Sequence, residues 1–279
     1  SSGTESANFS VRYFSGINDW SARADIDYLP SPNHYVKFGG TGVYHTFRPG
    51  AFHLKAGTAG ATLLDTTLGG KDVAATEYAF YAEDDIRIGA LLKVNAGLHY
   101  SGFLVGGANY MSLQPRISAR FFAADDWAVK ASYATMTQYI HLLTNSNIGL
   151  PTDLWVPATD RVRPQQAQQV AAGVAKTILG NKYEVSAEGY YKTMSNLIEY
   201  SAGANFLNPN ADWQNQVEAG RGWSYGAEIF IQKKKGNTTG WLGYTLSWST
   251  RQFENINFGE PYPYKYDRRH DISFVCSHR

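Results

Sequence analysis

The sequence predicts an all-β fold, an antiparallel up-and-down β-barrel that spans a membrane. Apolar and polar residues alternate along about twelve segments, which is the period of a β-strand. Aromatic residues stand at the ends of the apolar faces, and short and long connections alternate between the segments. A membrane barrel has these features because one strand face meets lipid and the other meets a polar lumen.

Composition agrees with an all-β chain and excludes one class of partner. The 279 residues include 14% aromatic residues and 27 glycines, which suit pleated faces and turns. The 25 Lys and Arg nearly balance the 24 Asp and Glu, so no bulk charge favours nucleic acid. No run of about 18 apolar residues predicts a membrane helix. The mean hydropathy of −0.35 does not exclude a barrel, whose strands alternate.

Segment 76–88 shows the alternation clearly. One face carries Tyr78 and Phe80, the other carries Glu77 and Glu83, and Asp84 is an exception on the apolar face. Because a strand turns successive side chains to opposite faces, this pattern predicts one apolar and one polar surface. The other segments that alternate are 91–100, 113–122, 127–136, 183–192, 223–232, 241–250 and 269–276.

A soluble β-sandwich with an aromatic core would also alternate, but two features favour a membrane barrel. Full charges stand in the middle of strands on the polar face, as a wet lumen allows. The apolar faces start or end in aromatic residues, as the girdles of membrane barrels do. These aromatic pairs are Trp127 and Tyr133, Trp223 and Tyr225, and Trp241 and Trp248.

The connections alternate in length, as up-and-down connectivity requires. Barrels of this kind have short periplasmic turns and longer extracellular loops. Tight turns are predicted at 29–33, 88–91, 123–126, 179–182 and 234–237. Longer loops are predicted at 47–75, 104–110, 139–164, 200–219 and 253–266.

The stretch 112–173 resembles the TonB-dependent receptors of the outer membrane. It has a Pro-Arg strand, a short turn, a W-x-x-K-x-x-Y pattern from Trp127 to Tyr133, the sequence PTDLW and then P-Q-x-A-x-Q. The later stretches 183–200, 220–249 and 266–275 are similar to closing strands of the same family. The order of these motifs, more than any single one, makes the resemblance specific.

The resemblance implies a larger protein than these 279 residues. Such receptors have about 22 strands around a lumen that a plug closes. A spanning strand takes about 10 residues, so the chain is too short for all of them. Residues 1–279 are therefore expected to be a partial β-barrel domain, with the plug domain and the last strands not present.

The resemblance also implies function, location and partners. The expected function is energy-coupled binding and import of a solute across the cell outer membrane, with iron chelate, vitamin, glycan and peptide all open. The expected partners are outer-membrane lipid, lipopolysaccharide, the solute and the TonB energy-coupling complex, which would act through the absent plug. A surface lipoprotein is a further candidate partner, and no nucleic acid is expected.

Solute-binding residues are expected on the long loops, because function concentrates in loops that a rigid scaffold holds. Tryptophan rings with neighbouring amides and carboxylates suit a sugar or a peptide. The alternative is that the same residues order the loops and cap their turns. The candidates are Tyr139, His141, Asp153, Trp155, Arg161, Asn208, Asp212, Trp213 and Asn215.

No metal or cofactor is predicted. His45 with His53, and His270 between Asp267 and Asp271, lack a recognised ligand spacing. We expect structural roles for all three histidines.

Two rival functions remain open on the residues alone. A complete small outer-membrane barrel enzyme, similar to a phospholipase, needs a serine and a histidine that face lipid. His99 and Ser101 form an H-x-S pair, but they share the polar face of their strand, which points into the lumen. A passive porin is the third possibility, and an upstream plug sequence in the gene would exclude it.

Overall fold

The computed structural model describes residues 8–58, 61–69, 72–143, 154–201, 203–204 and 212–279. These residues form fifteen strands and two short 3₁₀ turns, Trp213–Gln216 and Asn257–Gly259. The strands are β1 Asn8–Ser31, β2 His34–Thr58, β3 Ala61–Gly69, β4 Val73–Ile88, β5 Leu92–Val105, β6 Ala108–Ala124, β7 Trp127–Gln138, β8 Ile140–Leu143, β9 Leu154–Pro157, β10 Gln165–Ile178, β11 Tyr183–Tyr200, β12 Val217–Lys233, β13 Thr238–Gln252, β14 Tyr262–Pro263 and β15 His270–His278.

The long strands form one antiparallel meander, as the sequence predicts. Their order is β1-β2-β4-β5-β6-β7-β10-β11-β12-β13-β15, so each long strand pairs with the next one along the chain. The short strands β3 and β14 extend the edges of β2 and β13, and β8 pairs only with β9. Among the described residues, β1 and β15 do not pair with each other. The sheet is therefore an open wall and not a closed cylinder.

Among the described residues, no helix has the length and apolar character needed to cross a membrane.

One face of the sheet is apolar and open. Phe80 is 59% exposed, Tyr225 41% and Ile229 46%, and similar side chains continue on both sides of them. An uncovered apolar surface of this extent is far larger than a soluble monomer tolerates. The row through Tyr225 and Ile229 does not pack inside a second sheet, so the sandwich alternative is wrong.

Asp84, the exception on the apolar face, has a partner there. Its carboxylate Oδ2 lies 2.7 Å from Nδ1 of His34 on the neighbouring strand β2. In the register Asp84 stands opposite Val36, two residues from His34, close to the short turns. The pair therefore places both polar groups at the end of the apolar band.

The five tight turns are confirmed, but two of the predicted long loops are strand. β5 and β6 are joined by Gly106 and Gly107 alone, both at positive φ (50° and 90°), so a long loop at 104–110 is wrong. Two glycines suit such a hairpin because neither has a Cβ to strain the positive φ. In 47–75, β2 continues to Thr58 and pairs with β3, so this region is mostly hairpin.

The ladder between β6 and β7 stops at Pro115. Pairing runs from Ala124 to Arg116 on β6, and Pro115 has no N–H with which to continue it. The side chain of Gln114 takes over, since its Oε1 accepts the backbone N–H of Thr137 at 3.1 Å. Its Nε2 donates to Ser101 at 2.8 Å, so one buried amide closes this gap in the wall.

We expect Gln114→Ala to destabilise the barrel by about 1–3 kcal/mol, because it leaves the N–H of Thr137 without its acceptor. Unfolding in urea, followed by the gel-mobility shift of the folded barrel, measures this. Thr135→Ala is the matched control on the facing strand. It removes only an exposed bond of 3.4 Å to the carbonyl of Pro115, so its effect should stay within about 0.5 kcal/mol. Equal destabilisation by both substitutions would contradict the role of Gln114 in bridging the interrupted ladder.

Candidate functional site

Strands β8 and β9, which lie between β7 and β10 in the chain, pair with each other and dock on the concave face of the sheet as the β8–β9 hairpin. His141 pairs with Val156, and both are fully buried. Leu142 pairs with Trp155, which is 43% exposed on the other side of the hairpin. The hairpin is therefore amphipathic across its plane, with one face docked and one face open.

One end of the hairpin is held on the wall formed by β2, β4 and β5. The ring of Tyr139 stacks on Phe103 with 5.0 Å between centroids and 2° between planes. Its hydroxyl lies 2.8 Å from the hydroxyl of Ser101, inside the wall. The apolar cluster around this contact contains Phe47, Ala75, Phe103, Val105, Tyr139 and Ala158.

The other end is held on β11 and the segment before β12. Leu143 and Val156 of the hairpin pack against Ile198 of β11, and Trp213 packs against the edge of the same cluster. The hairpin thus connects two parts of the wall that are separated by several strands. It crosses the concave face on the side of the long loops.

His141 is buried without charge. Its Nδ1 accepts from the amide Nε2 of Gln165 at 2.9 Å, which requires the neutral imidazole. Burial lowers the pKa of His141 to about 4, although a hydrogen bond involving the backbone of Arg163 opposes the shift. The docked hairpin therefore excludes the protonated form of His141.

The base of the loop is fixed by a bulge in β11. The register shifts between Ser195 and Leu197, and Asn196 takes a φ of 55°. Asparagine tolerates this conformation better than most residues. Its side-chain Nδ2 donates to the carbonyl of Pro164 at 2.9 Å, which ties the returning loop to the wall.

Arg161 links this loop to the next one. Its Nη1 donates to Oδ1 of Asn215 at 2.7 Å, and its Nη2 forms an ion pair with Asp212. Asp212 also caps the 3₁₀ turn, since Oδ1 accepts the backbone N–H of Gln214 at 3.1 Å. Burial alone would raise the pKa of Asp212, but Gln214 and Arg161 together hold it below its ordinary value.

The structure brings part of the predicted site together. Arg161, Asp212 and Asn215 form one exposed network, although 51 residues separate the first two. Trp155 is exposed on the open face of the hairpin, and Trp213 is half-buried. Tyr139 and His141 lie beneath the open surface as anchors. The remaining two candidates, Asp153 and Asn208, lie outside the described residues.

Sequence reasoning missed the residues on the wall that receive the hairpin. Phe103 stands on the face of β5 that also carries Lys93 and His99, so an aromatic residue there breaks the alternation. That break was the available signal, because an apolar side chain on a lumen face needs something to cover it. Ser101 and Gln114 gave no signal, since polar residues are expected on that face.

The hydroxyl of Ser101 has a structural role and is not placed to act as a nucleophile. Its hydroxyl lies 2.8 Å from both the hydroxyl of Tyr139 and Nε2 of Gln114. The residue is 2% exposed and lies on the concave face, away from lipid. The lumen-facing position inferred from alternation is confirmed, which argues against a lipid-hydrolysing Ser–His pair.

The other histidines noted in the sequence each contact a strand neighbour. Nδ1 of His45 lies 2.7 Å from Oδ1 of Asp19, and Nε2 of His53 lies 2.7 Å from Oδ1 of Asp65. Nδ1 of His270 lies 2.8 Å from the hydroxyl of Tyr244. Within the described part of the chain, no three metal-ligating side chains converge.

When the chain is compared with known protein families, one family model matches it. The family model described as "TonB dependent receptor-like, beta-barrel" matches residues 1–272. A comparison with curated protein sequences returns no match.

Three solved structures show how the fold compares. The FrpB iron transporter from Neisseria meningitidis (F3-3 variant) is 13% identical with a TM-score of 0.60, over 87% of this chain and 37% of that one. The alcaligin outer-membrane receptor FauA from Bordetella pertussis is 14% identical with a TM-score of 0.56, over 98% and 44%. The RagAB peptide transporter is 10% identical with a TM-score of 0.56, over 91% and 32%. The chain therefore spans less than half the length of each of these structures.

We expect docking of the hairpin to weaken as the pH falls. The free loop protonates His141 near 6.5 and the docked loop only near 4, so docking is favoured above pH 6.5 and is lost progressively below it. At pH 5 the loss should be about 2 kcal/mol. Hydrogen exchange of the β8 and β9 amides between pH 7 and pH 5, corrected for intrinsic rates, measures it. His141→Leu should remove the dependence, and an unchanged slope in that variant would contradict the assignment.

We expect the Arg161–Asp212 pair to couple the two loops only modestly, because both side chains are partly exposed. A double-mutant cycle with Arg161→Ala and Asp212→Ala should give a coupling energy below about 1 kcal/mol. Limited proteolysis should nevertheless cut the single variants faster between β11 and β12. Lys130→Ala, which breaks another ion pair far from the loops, is the control and should leave that cleavage rate unchanged.

Proposed function

The chain belongs to the TonB-dependent receptor family, and we propose that it forms part of an outer-membrane receptor that binds a solute and imports it with energy from TonB. Members of this family are transporters and not enzymes, which excludes the small outer-membrane barrel enzyme as an alternative. The up-and-down barrel topology and the family resemblance are both confirmed. Beyond membership in the family, we propose that the receptor imports a particular solute.

The single observation that supports this proposal most strongly is the docked β8–β9 hairpin. It crosses the concave face on the side of the long loops and leaves the ring of Trp155 exposed. A receptor needs a surface like this one at the mouth of its lumen, where a solute arrives before transport.

We propose that the solute contacts the open surface and that buried residues hold that surface in place. Arg161, Asp212 and Asn215 supply charges and an amide in one connected network, Trp213 follows Asp212 in the chain, and Trp155 adds an exposed ring on β9. Tyr139 and His141 act beneath it as anchors. Asp153 and Asn208 complete the proposed set.

The class of solute is a narrower proposal. The solved relatives include an iron transporter, an alcaligin receptor and a peptide transporter, and these descriptions apply to those proteins. Tryptophan rings beside an amide and a carboxylate favour a sugar or a peptide in this chain. Iron chelates and vitamins are the alternatives that a binding assay has to compare.

We propose further that residues 1–279 are a partial barrel domain and that a plug belongs to the same receptor. The chain covers only 32% to 44% of the three solved relatives, which supports this division. The apolar face supports contact with outer-membrane lipid, and lipopolysaccharide would meet its outer rim. A surface lipoprotein remains a candidate partner at the mouth.

Alanine at Trp155 or Trp213 in the full-length receptor should weaken binding of the cognate solute about tenfold, which is about 1.4 kcal/mol. The reason is the loss of a ring that stacks on the solute. Titration of purified receptor with candidate glycans, peptides and iron chelates measures affinity, and uptake by cells with and without TonB measures transport.

Trp20→Ala is the matched control, since Trp20 is an exposed ring on β1 that points to the face opposite the one where Asp19 contacts His45. Its affinity should equal that of the unchanged receptor. Unchanged affinity in both Trp155→Ala and Trp213→Ala would remove these residues from the site. Uptake that persists without TonB would overturn the energy-coupled function.

A further inference from the structure

We propose that the apolar face of the sheet carries a binding site for the phosphate of an anionic phospholipid, at the end where the short turns lie. The site is a lysine rim formed by Lys176, Lys182 and Lys233 around the ring of Tyr183. The inference rests on the proposed function only because it places the apolar face of the barrel in the outer membrane. It does not depend on which solute the receptor imports.

Lys233 stands at the end of the apolar face of β12. It follows Ile229 and Ile231 at steps of two residues, so its side chain leaves the sheet on the same side as theirs. Both isoleucines are exposed on that side. In the register Lys233 pairs with Tyr183 of β11. A cation thus lies at the border of an otherwise apolar surface.

Lys176 takes a similar place two strands away, on β10. It follows Val170 and Val174 on the apolar face, and its partner on β7 is Trp127. Nζ of Lys176 lies 4.6 Å from the centroid of the Trp127 ring. Tryptophan rings and lysines whose stems lie along apolar surface are typical of the interface between hydrocarbon and lipid headgroups.

Lys182 adds a third cation from the short turn between β10 and β11. The turn places Gly180 and Asn181 at positive φ, 64° and 61°, and brings the chain back at Lys182. Nζ of Lys182 lies 5.9 Å from the centroid of the Tyr183 ring. Tyr183 therefore has two lysines as neighbours, Lys182 along the chain and Lys233 across the strand pair.

The lysine rim lies at one end of an uncharged band. Between Tyr183 and the next aromatic row, β11 turns only Val185, Ala187 and Gly189 to this face. That row crosses four strands and consists of Tyr133, Tyr191, Tyr225 and Trp248. Membrane barrels carry aromatic girdles at both borders of their apolar band. The lysine rim therefore stands where headgroups meet the barrel.

The lysines outnumber the carboxylates at this end of the wall. The segments 123–126, 176–184 and 233–235 contain five lysines against three carboxylates, Asp125, Asp126 and Glu184. Glu184 forms an ion pair with Lys234, on the concave side of the sheet. Asp126 lies 3.7 Å from Nζ of Lys176.

Two cations of the lysine rim keep their charge available. In the described part of the chain, neither Lys182 nor Lys233 forms an ion pair. Lys235, in the neighbouring turn, is engaged differently, because its Nζ donates to the carbonyl oxygen of Gly180 at 2.8 Å. The two lysines beside Tyr183 are therefore the ones that an external anion would meet.

An anionic phospholipid matches both properties of this surface. Its phosphate is an oxyanion, which lysines bind as point charges. Its acyl chains would continue along the uncharged band beside Val185 and Ile231, whereas a free phosphate would meet only the charged part. Short turns lie on the periplasmic side of such barrels, and the periplasmic leaflet of an outer membrane consists of phospholipid.

The test is native mass spectrometry of the full-length receptor in detergent, titrated with dioleoyl phosphatidylglycerol. Lys233→Gln should weaken binding about fivefold, since a lysine near an anionic lipid surface contributes about that factor. Lys182→Gln combined with Lys233→Gln should weaken it at least tenfold. Lys234→Gln is the matched control, because it removes the same charge from the adjacent residue, whose side chain pairs with Glu184. Its affinity should change less than twofold.

Two further ligands separate a headgroup site from its alternatives. Dioleoyl phosphatidylcholine has the same chains and no net charge, so it should bind at least fivefold more weakly and alike in all variants. Inorganic phosphate at the concentration of the lipid should not displace phosphatidylglycerol.

A loss of phosphatidylglycerol binding in Lys233→Gln and not in Lys234→Gln supports the proposal. Equal losses in the two variants overturn it, because the effect would then be bulk charge. Equal binding of the two lipids also overturns it, since the lysines would then only extend toward water. Displacement by inorganic phosphate would assign the site to a free anion instead of a lipid.

Uptake assays keep this inference separate from the proposed function. A receptor that imports its solute in a TonB-dependent way but does not prefer phosphatidylglycerol would lose only the headgroup site. A receptor that prefers phosphatidylglycerol at the lysine rim but shows no TonB-dependent uptake would lose only the transport function.

Discussion

Continuous backbone pairing is the constraint on which the rest of this structure depends. Within lipid no water is available for an N–H or C=O group, so a strand that crosses must pair on both sides. The meander satisfies this by pairing each long strand with the next one. Where Pro115 interrupts the ladder, a buried side-chain amide supplies the missing acceptor. A wall built in this way has a fixed register, and the register decides which face every side chain occupies.

The fixed register then makes a positioned loop possible. A hairpin of four plus four residues is too short to be stable alone, because it buries little surface. The β8–β9 hairpin is ordered by two apolar clusters on parts of the wall that do not touch each other. Tyr139 adds a directional anchor, since its ring stacks on Phe103 while its hydroxyl meets Ser101. Its open face therefore has a defined place at the mouth.

Local signals in the sequence predict the wall but not the docking of the loop. Alternation and turn residues are properties of adjacent positions, so the strands and tight turns follow from them. The stacking of Tyr139 on Phe103 joins residues 36 positions apart, and polar residues around Phe103 conceal it. Arg161 and Asp212 were predicted separately on two loops, and only the fold joins them. The two-glycine turn at Gly106 was misjudged because the expected alternation of short and long connections assigned a long loop there, although Gly-Gly between two alternating segments is itself a hairpin signal.

The separation of the sheet into an apolar face and a concave polar face also explains why the concave face tolerates charges that repel each other. The stability of the wall comes from its ladders, and apolar side chains such as Phe80 and Ile229 are exposed on its other face. Concave side chains contribute little to that stability, because water surrounds most of them. Arg87, Lys93 and Arg120 can therefore stand side by side without unfolding the wall, as they could not in a packed core. In a barrel of this kind the side chains of the concave face are therefore free of the packing constraint that fixes the apolar face.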